Sequence, residues 1–139
     1  GAVKDINHRL IIKKPVSIFG SNLYKKLRKN FPGSLSNQQF ILPTIDSKLR
    51  YDFEHWAKIN SINLDIIAET QDVSLKKLMA IDGLGLIPAA PYNVQKEVLA
   101  GQLIEVGSLP GLQDELYLVS ANRKISNPVA NILMKTFSV

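Results

Sequence analysis

The 139-residue sequence contains no cysteine and only two histidines, His8 and His55. The absence of cysteine excludes disulfide bonds and thiolate metal sites, and it is consistent with a reducing compartment. The two histidines are far apart in the sequence, and neither has the spacing of a known nucleophile or metal site. No Walker loop or G-x-G-x-x-G motif is present, because Gly83-Leu84-Gly85 lacks the third glycine. We therefore assign no catalytic residue, no metal and no cofactor.

Long apolar runs are missing as well. No segment approaches the roughly 20 consecutive apolar residues that a membrane-spanning helix needs, and Gly1–Arg9 lacks the hydrophobic stretch of a signal peptide. We therefore expect a cytoplasmic protein that does not bind membranes. A hydrophobic content of 45% with 21% charged residues is ordinary for a folded globular chain, and 139 residues are enough for one domain or two small lobes.

The net charge of +5 is unevenly distributed. Residues 1–30 hold eight basic side chains against Asp5 alone, whereas the remaining sequence carries nine basic and eleven acidic side chains. Four of the basic residues lie in Lys25–Lys29 on a short helical pattern opposite Leu23 and Leu27, and such a face either binds phosphate or is simply solvated. We favour the solvated interpretation, because the sequence has no RNA-binding pattern of aromatic residues and no helix-turn-helix or zinc-finger spacing.

The segment Asn63–Ala89 has the pattern of a strand, a helix and a second strand. The apolar run Leu64–Ala68 is too short for a helix and predicts a buried strand. A helix follows, capped by Thr70 or Asp72 and closed by Gly83. The helix has an apolar face and a solvated face, formed by Leu75, Leu78 and Met79 and by Lys76 and Lys77 respectively.

The second strand, Leu84–Ile87, is predicted to end at Pro88 and to run parallel to the first, with the helix as crossover. In open sheets of this kind, ligands lie outside the carboxyl ends of the strands. Those ends fall at Glu69–Asp72 and at Pro88–Pro91, close to a helix N-terminus that favours anions. The segment is either half of a ligand cleft or only a core unit, and the pattern alone favours neither.

The remaining sequence continues the alternation of strands and helices. Strands are predicted at Leu10–Ile12, Val16–Phe19, Gln39–Leu42, Leu103–Val106 and Glu115–Ser120, with a turn at Pro110-Gly111. Helices are predicted after Ser21 or Asn22, from Asp46 or Ser47 to about Asn60, over Asn93–Ala100 after Pro91, and over Val129–Phe137. The second of these helices should bury the stripe Leu49, Phe53, Trp56 and Ile59. This alternation predicts an α/β fold.

The order of several short motifs resembles the effector-binding domain of LysR-type transcriptional regulators. The motifs are the strands Val16–Phe19 and Phe40–Pro43, the helix start Ser47–Arg50, and the segments Ala68–Asp72 and Gly83–Pro88. The end of the sequence, Glu115–Ser120 followed by Arg123–Val129, is similar to the close of the subgroup that activates sodium/proton antiporter genes. The resemblance covers nearly the whole chain and rests on the order and spacing of the motifs.

The resemblance implies a fold like that of type II periplasmic binding proteins, in which crossing strands join two α/β lobes and the effector lies between them. Residues 21–113 would form a complete second lobe. Residues 1–20 would form the hinge, a crossing strand and a remnant of the first lobe, and residues 114–139 the return crossing strand and the C-terminal helix of the first lobe. The opening half of the first lobe and the family's winged helix-turn-helix would be absent. We therefore expect a piece of a longer protein that does not recognise an operator by itself.

The resemblance also implies a set of ligand-binding residues. These are Phe19 and Gly20 at the hinge, Thr44, Ser47, Thr70, Gln71 and Asp72 on the second-lobe wall of the cleft, and Pro88 beside it. Thr44 and Ser47 can offer hydroxyl and N–H groups to an anion or a polar effector, but helix capping is an equally good role for them. Asp72 has the same ambiguity, and one carboxylate is a poor cation site, so no metal is assigned.

The expected function is therefore an effector-sensing regulatory domain, without enzymatic activity, that binds a small molecule or an ion. We expect self-association into a homo-oligomer, because a missing half-lobe would expose apolar surface, and contact with DNA only through a helix-turn-helix absent from this chain. A solute-binding protein of a transport system has the same fold and is the alternative. An enzyme is the third possibility, and it would need His8 or His55 in a cleft beside a carboxylate.

Overall fold

Strands and helices alternate along the chain, as the sequence predicts. The computed structural model describes residues 9–120 and 132–136. The strands are β1 (Arg9–Gly20), β2 (Gln39–Leu42), β3 (Asp65–Glu69), β4 (Ile87–Ala89), β5 (Ile104–Ser120) and β6 (Ile132–Thr136). The α-helices are α1 (Lys48–Ile59), α2 (Val73–Ile81) and α3 (Gln95–Leu99), and short 3-10 helices span Asn22–Arg28, Gly33–Leu35 and Pro91–Val94.

The strands form two sheets that meet at a single bridge. The first sheet has the order β4-β1-β5-β6, and its pairs are antiparallel. The second contains β2 and β3 in parallel. Phe40 of β2 pairs in parallel with Leu86, the residue before β4, so the two sheets are joined there. Strand β2 lies between β3 and β4. Because the pairings on both sides of β2 are parallel, the carboxyl ends of all three strands lie along one edge.

The long pairing of β1 with β5 contains a bulge. Pro15 pairs with Gln113 while the next residue, Val16, pairs with Leu109, so β5 carries three extra residues at 110–112. The predicted turn at Pro110-Gly111 is therefore wrong, and the two predicted strands on either side of it are one strand of 17 residues. Gly111 has φ of 92°, a conformation that glycine adopts without strain and that permits the bulge.

The core is formed where α1 packs on β1, β2 and β5. Phe53 of α1 is fully buried and contacts Phe40, with ring centroids 5.4 Å apart, and Trp56, with centroids 5.9 Å apart. The predicted stripe of α1 is correct up to Trp56, but Ile59 is 68% exposed. Ala57 is buried in its place, because it lies four residues after Phe53 and so on the same face of the helix.

The predicted faces of α2 are correct only at Met79, which packs against a core cluster. Leu75 and Leu78 are 46% and 57% exposed, whereas Lys76 is only 5% exposed and Ala80 is fully buried. Beside Met79, the inward side thus contains a small residue, which permits close packing, and a lysine whose aliphatic stem covers apolar surface. A nine-residue helix offers too few turns for hydrophobic spacing alone to identify its buried face.

The ends of α2 match their prediction. The side chain of Asp72 accepts a hydrogen bond from the Leu75 N–H at 3.1 Å and caps the N-terminus. At the other end Gly83 has φ of +84°, its N–H donates to the Ala80 carbonyl, and the Leu84 N–H donates to the Met79 carbonyl. These two bonds close the helix in the manner of a Schellman motif.

Three further strand or helix predictions differ from the structure. The strand β3 lies at the edge of its sheet, so its residues alternate between exposed and half-buried instead of being buried throughout. The strand β4 continues through Pro88, which pairs with Ile18. Ile132–Thr136 form β6, paired with β5, where a helix over Val129–Phe137 was predicted. The rest of that predicted helix lies outside the described residues.

Replacing Phe53 by alanine should lower the free energy of unfolding by about 3–5 kcal/mol, because it removes a buried aromatic ring and leaves a cavity. Replacing Ile59 by alanine on the same helix should change that free energy by less than about 0.5 kcal/mol, because the side chain is already exposed. Urea denaturation measures both values. Equal losses for the two variants would contradict the orientation of α1.

Candidate functional site

The carboxyl ends of β2, β3 and β4 form a polar edge, which we call the carboxyl edge and define as residues 43–47, 69–72 and 88–90. Thr44 follows β2, and Gln71 follows β3. The Gln71 amide nitrogen donates to the Thr44 hydroxyl at 2.8 Å, so the structure brings these two predicted site residues into direct contact. A side-chain hydrogen bond thus joins the loops that follow two neighbouring parallel strands.

Asp46 completes this contact, although the sequence pattern indicated it only as a possible helix start. Its carboxylate accepts from the Thr44 hydroxyl at 2.6 Å and from the Gln71 amide at 3.3 Å. The hydrogen bond from Thr44 lowers the pKa of Asp46, and its own backbone N–H and Gln71 act in the same direction. The spacing Thr-x-Asp before a helix is a sequence signal that could have identified it, because short polar side chains in such loops bond to each other and to the backbone.

Two other predicted residues of the carboxyl edge cap helices, and a third bonds to one of these caps. The Ser47 hydroxyl accepts from the Arg50 N–H at 3.3 Å at the start of α1. The Thr70 hydroxyl accepts from the Asp72 N–H at 2.9 Å, and Asp72 caps α2. Each cap accepts from one N–H group of its helix, that of Arg50 in α1 and that of Leu75 in α2. The two helix N-termini therefore add partial positive charge at the carboxyl edge.

The remaining predicted residues lie behind or beside the carboxyl edge. Phe19 is 2% exposed and pairs with Ile87 in a core cluster, so it supports the edge from inside. Gly20 is buried, and a Cβ atom there would lie 2.7 Å from Leu86 Cδ2, which explains why a residue without a side chain occupies this position. Pro88 lines a small cavity described below. Binding of a ligand by these residues stays a prediction.

Arg50 holds the carboxyl edge together and was missed as a site residue. Its side chain is 8% exposed, and one guanidinium nitrogen lies 2.9 Å from the Pro43 carbonyl and 3.0 Å from a carboxylate oxygen of Glu69. The Nε atom donates to Glu54 at 2.8 Å. Pro43 directly follows β2 and Glu69 is the last residue of β3, so one guanidinium fixes the ends of both strands. Its spacing of four residues from Glu54 was the available signal.

Burial is the largest influence on the Arg50 guanidinium and acts to lower its pKa. The hydrogen bonds and charges of Glu54 and Glu69 act in the opposite direction and outweigh burial, so the pKa is raised. Arg50 therefore stays charged, and the fork of N–H donors suits the three oxygen acceptors around it. This is a positioning role, because the guanidinium is directed at the protein's own backbone and carboxylates.

A cavity of about 20 Å³, enough for roughly one water molecule, lies beside the carboxyl edge at the end of β4. Its lining combines apolar side chains with Lys76 of α2, Asn93 and Asp114 of β5. Lys76 and Asp114 are 5% and 1% exposed. Burial lowers the pKa of Lys76 to about 8, and the negative charge of Asp114 opposes that effect. The sequence pattern placed Lys76 on the solvated face of α2, so the burial of this lysine was not predicted.

An enzyme would need His8 or His55 in a cleft beside a carboxylate, and the described residues meet this condition only in part. His55 and Asp52 line an open groove of about 350 Å³ together with Trp56 and Ile59. Asp52, however, forms an ion pair with Lys48 at 2.7 Å, and His55 stacks on Tyr51 with ring centroids 6.3 Å apart. His8 lies outside the described residues. Neither contact orients the His55 ring as a general base against a carboxylate.

Two absences concern only the part of the chain that the structure describes. Within residues 9–120 and 132–136, no group of three or more histidine or acidic side chains is placed to hold a metal ion. Over the same residues, no helix is both long enough and apolar enough to cross a membrane.

The fold matches solved regulatory domains of known class. The regulatory domain of HypT from Salmonella typhimurium superimposes with a TM-score of 0.62 at 15% identity, over 92% of this chain and 62% of that one, and HypT is described as a LysR-type transcriptional regulator. A periplasmic binding protein of an ABC transporter from Brucella ovis, solved with glutathione bound, gives a TM-score of 0.54 at 9% identity, over 75% of this chain and 34% of that one. The chain therefore has the type II periplasmic-binding-protein-like fold of LysR-type regulatory domains.

Among curated proteins, the chain is similar to the transcriptional activator protein NhaR of Escherichia coli. The identity is 21% over 108 residues, which is 78% of this chain and 36% of NhaR. The chain thus spans about a third of the length of the curated relatives that it matches. No family model matches the sequence.

Replacing Arg50 by methionine should lower the free energy of unfolding by about 2 kcal/mol, because it leaves the Pro43 carbonyl and two carboxylates without their charged donor. Amide hydrogen exchange should become faster at residues 44–47 and 70–72 in particular. Lys58→Met, an exposed change on the same helix, is the control and should affect neither quantity. Unchanged exchange at both loops in the Arg50 variant would contradict its positioning role.

Proposed function

We propose that the chain is the effector-sensing regulatory domain of a LysR-type transcriptional regulator, located in the cytoplasm and without enzymatic activity. The observation that supports this most directly is the carboxyl edge, where Gln71 bonds to Thr44 and Asp46 across the ends of two parallel strands. In folds of this class, ligands lie at such an edge. The similarity of the fold to the HypT regulatory domain supports the same conclusion.

The division of the chain follows from this proposal. Residues 21–113 would form the second lobe, residues 1–20 the hinge and first crossing strand, and residues 114–139 the return strand and remaining elements of the first lobe. The pairing of β1 with β5 over most of their length supports the assignment of both as crossing strands. An opposing lobe would then supply the second wall of the cleft.

The chemistry of the carboxyl edge suits a small polar or anionic effector. The Thr44 hydroxyl and the Gln71 amide already bond to each other and to Asp46, so their positions are fixed before a ligand arrives. Such preorganisation reduces the entropic cost of binding. The partial positive charge of the α1 and α2 N-termini would favour the negative part of the ligand.

Sensing requires that the effector bind one arrangement of the lobes more tightly than the other. A ligand held between the two walls stabilises the arrangement in which both walls contact it, and the equilibrium shifts by the difference in binding free energy. In a homo-oligomer, the crossing strands β1 and β5 would carry that change to the neighbouring chains and to a DNA-binding helix-turn-helix. DNA would be contacted only by that separate domain.

A solute-binding protein of a transport system is the second candidate, because the periplasmic binding protein from Brucella ovis has the same fold. The complete reading frame of the gene distinguishes the two. A helix-turn-helix upstream of Ala2 supports the regulator, whereas a secretory signal supports the transport protein.

This chain alone should not retard DNA in a sequence-dependent manner in gel electrophoresis, because its basic residues near 25–29 can give only non-specific, salt-sensitive binding. The product of the complete reading frame should retard the DNA upstream of its own gene or a neighbouring one. Sequence-specific retardation by residues 1–139 alone would contradict the assignment of this chain as the sensing part.

Replacing Gln71 by leucine in the complete protein should raise the effector concentration needed for half-maximal reporter expression by about tenfold, the equivalent of one lost hydrogen bond to the ligand or its contacts. Gln102→Leu is the matched control, because Gln102 is exposed in a groove beside Asp82, at the opposite end of α2. An equal response of both variants would count against the carboxyl edge as the effector site.

A further inference from the structure

A groove of about 350 Å³ lies between α1 and the bulge of β5. We call it the bulge groove and define it by the residues that line it, which are Asp52, His55, Trp56 and Ile59 of α1 and the bulge residues 110–112. None of these residues belongs to the carboxyl edge. Small-molecule sites in proteins begin at volumes of about 300 Å³, so the bulge groove has room for a small organic ligand.

The bulge leaves this groove open. Leu112 is buried in the core and anchors the bulge, whereas Pro110 and Gly111 are exposed. Gly111 has no side chain, and a Cβ atom at that position would have no neighbouring atom within 4 Å. The three extra residues of β5 thus form one wall of the groove without filling it.

The opposite wall contains the indole of Trp56. The indole stacks on the buried ring of Phe53, with ring centroids 5.9 Å apart and 13° between the ring planes. This contact holds the indole in place before a ligand arrives, and the exposed side chain of Ile59 lies beside it in the groove. Tryptophan attracts cations more strongly than other aromatic side chains do, because the faces of its ring system carry negative charge. This wall therefore suits an organic cation with an apolar part.

The charges beside the groove favour a cation as well. The Oδ2 atom of Asp52 accepts a hydrogen bond from Lys48 at 2.7 Å, and Lys48 also lies 4.0 Å from Glu115. One ammonium is thus placed between two carboxylates, so these three groups together carry a charge of −1. Lys58 does not offset this charge, because it follows Trp56 by two residues and lies about 200° further around the helix axis.

We propose that the bulge groove binds a small organic cation, an amine or a guanidine that carries a short apolar or aromatic group. The cationic group would lie between the Asp52 carboxylate and the indole of Trp56. The apolar part would cover Ile59 and Pro110, which are exposed to water without it. This site is separate from the carboxyl edge, for which polar and anionic effectors are proposed, and it does not depend on that proposal.

Trp56 is the only tryptophan of the sequence, so its fluorescence reports on the bulge groove. Three probes of similar size but different charge would be titrated into the full chain: phenethylamine, 2-phenylethanol and 3-phenylpropionate. At pH 8, above the ordinary pKa of histidine, phenethylamine is a cation. It should bind about tenfold more tightly than the neutral and the anionic probe. Equal affinities for the three probes, or fluorescence that does not respond to phenethylamine, would overturn the proposal.

Asp52→Asn removes the negative charge with little change of shape. It should weaken the binding of phenethylamine about fivefold and leave the binding of 2-phenylethanol unchanged. Asp65→Asn is the matched control, because it removes an exposed carboxylate from β3, and it should affect neither probe. If both variants weakened phenethylamine binding equally, the effect would come from the overall charge of the protein, and the assignment to the bulge groove would fail.

Amide chemical shifts locate the probe in the wild-type chain, without any variant. Phenethylamine should shift the amides of residues 52–59 and 111–112 most strongly, and largest shifts elsewhere would contradict the site. A second copy of the chain is the alternative occupant of the groove. In that case sedimentation would show a dimer, Trp56 fluorescence would change with protein concentration, and phenethylamine would not bind, which would also overturn the proposal.

Discussion

The antiparallel pairing of β1 with β5 is the constraint on which the rest of the structure depends. Its described register runs from Arg9 opposite Val119 to Gly20 opposite Ile104. The strand β4 pairs with the free side of β1, and the bridge between Phe40 and Leu86 then attaches β2 and, through it, β3. Because each attachment depends on the one before it, the carboxyl edge acquires its position from β1. The bulge at residues 110–112 lets β5 follow β1 while Leu112 enters the core.

The carboxyl edge is held mainly by Arg50 of α1 and by contacts among the polar groups of the edge itself. The guanidinium of Arg50 bonds to the ends of two strands, and Gln71 joins the loops that follow them. Buried polar groups stabilise a single arrangement when their hydrogen bonds are satisfied. This explains how short, exposed loops can present a fixed surface to a ligand. It also shows that capping and binding are compatible at Ser47 and Asp72, because each cap satisfies only part of the first turn.

Much of the fold could be predicted because local signals and tertiary structure agree there. The caps at Ser47 and Asp72, the stop at Gly83 and the strand Gln39–Leu42 depend on nearby residues only. The sequence predictions were wrong where contacts between residues far apart in the sequence determine the local structure. The bulge in β5 depends on β1, almost 100 residues away in the sequence, and Lys76 is buried against apolar residues of other elements that line the same cavity. A ligand site at these strand ends stays a prediction, and the positions of Arg50 and Asp46 depend on hydrogen bonds that form only in the folded chain.

The central claim is that the carboxyl edge is half of an effector site, and mapping of ligand binding by amide chemical shifts in this chain tests it most directly. A library of small polar and anionic metabolites would be titrated into the isotope-labelled protein. The account predicts that a ligand that binds will shift the amides of residues 44–47, 70–72 and 89–93 most strongly. Binding with its largest shifts in the groove between Ser21 and Gln102, or beside Trp56 and Gly111, would contradict it.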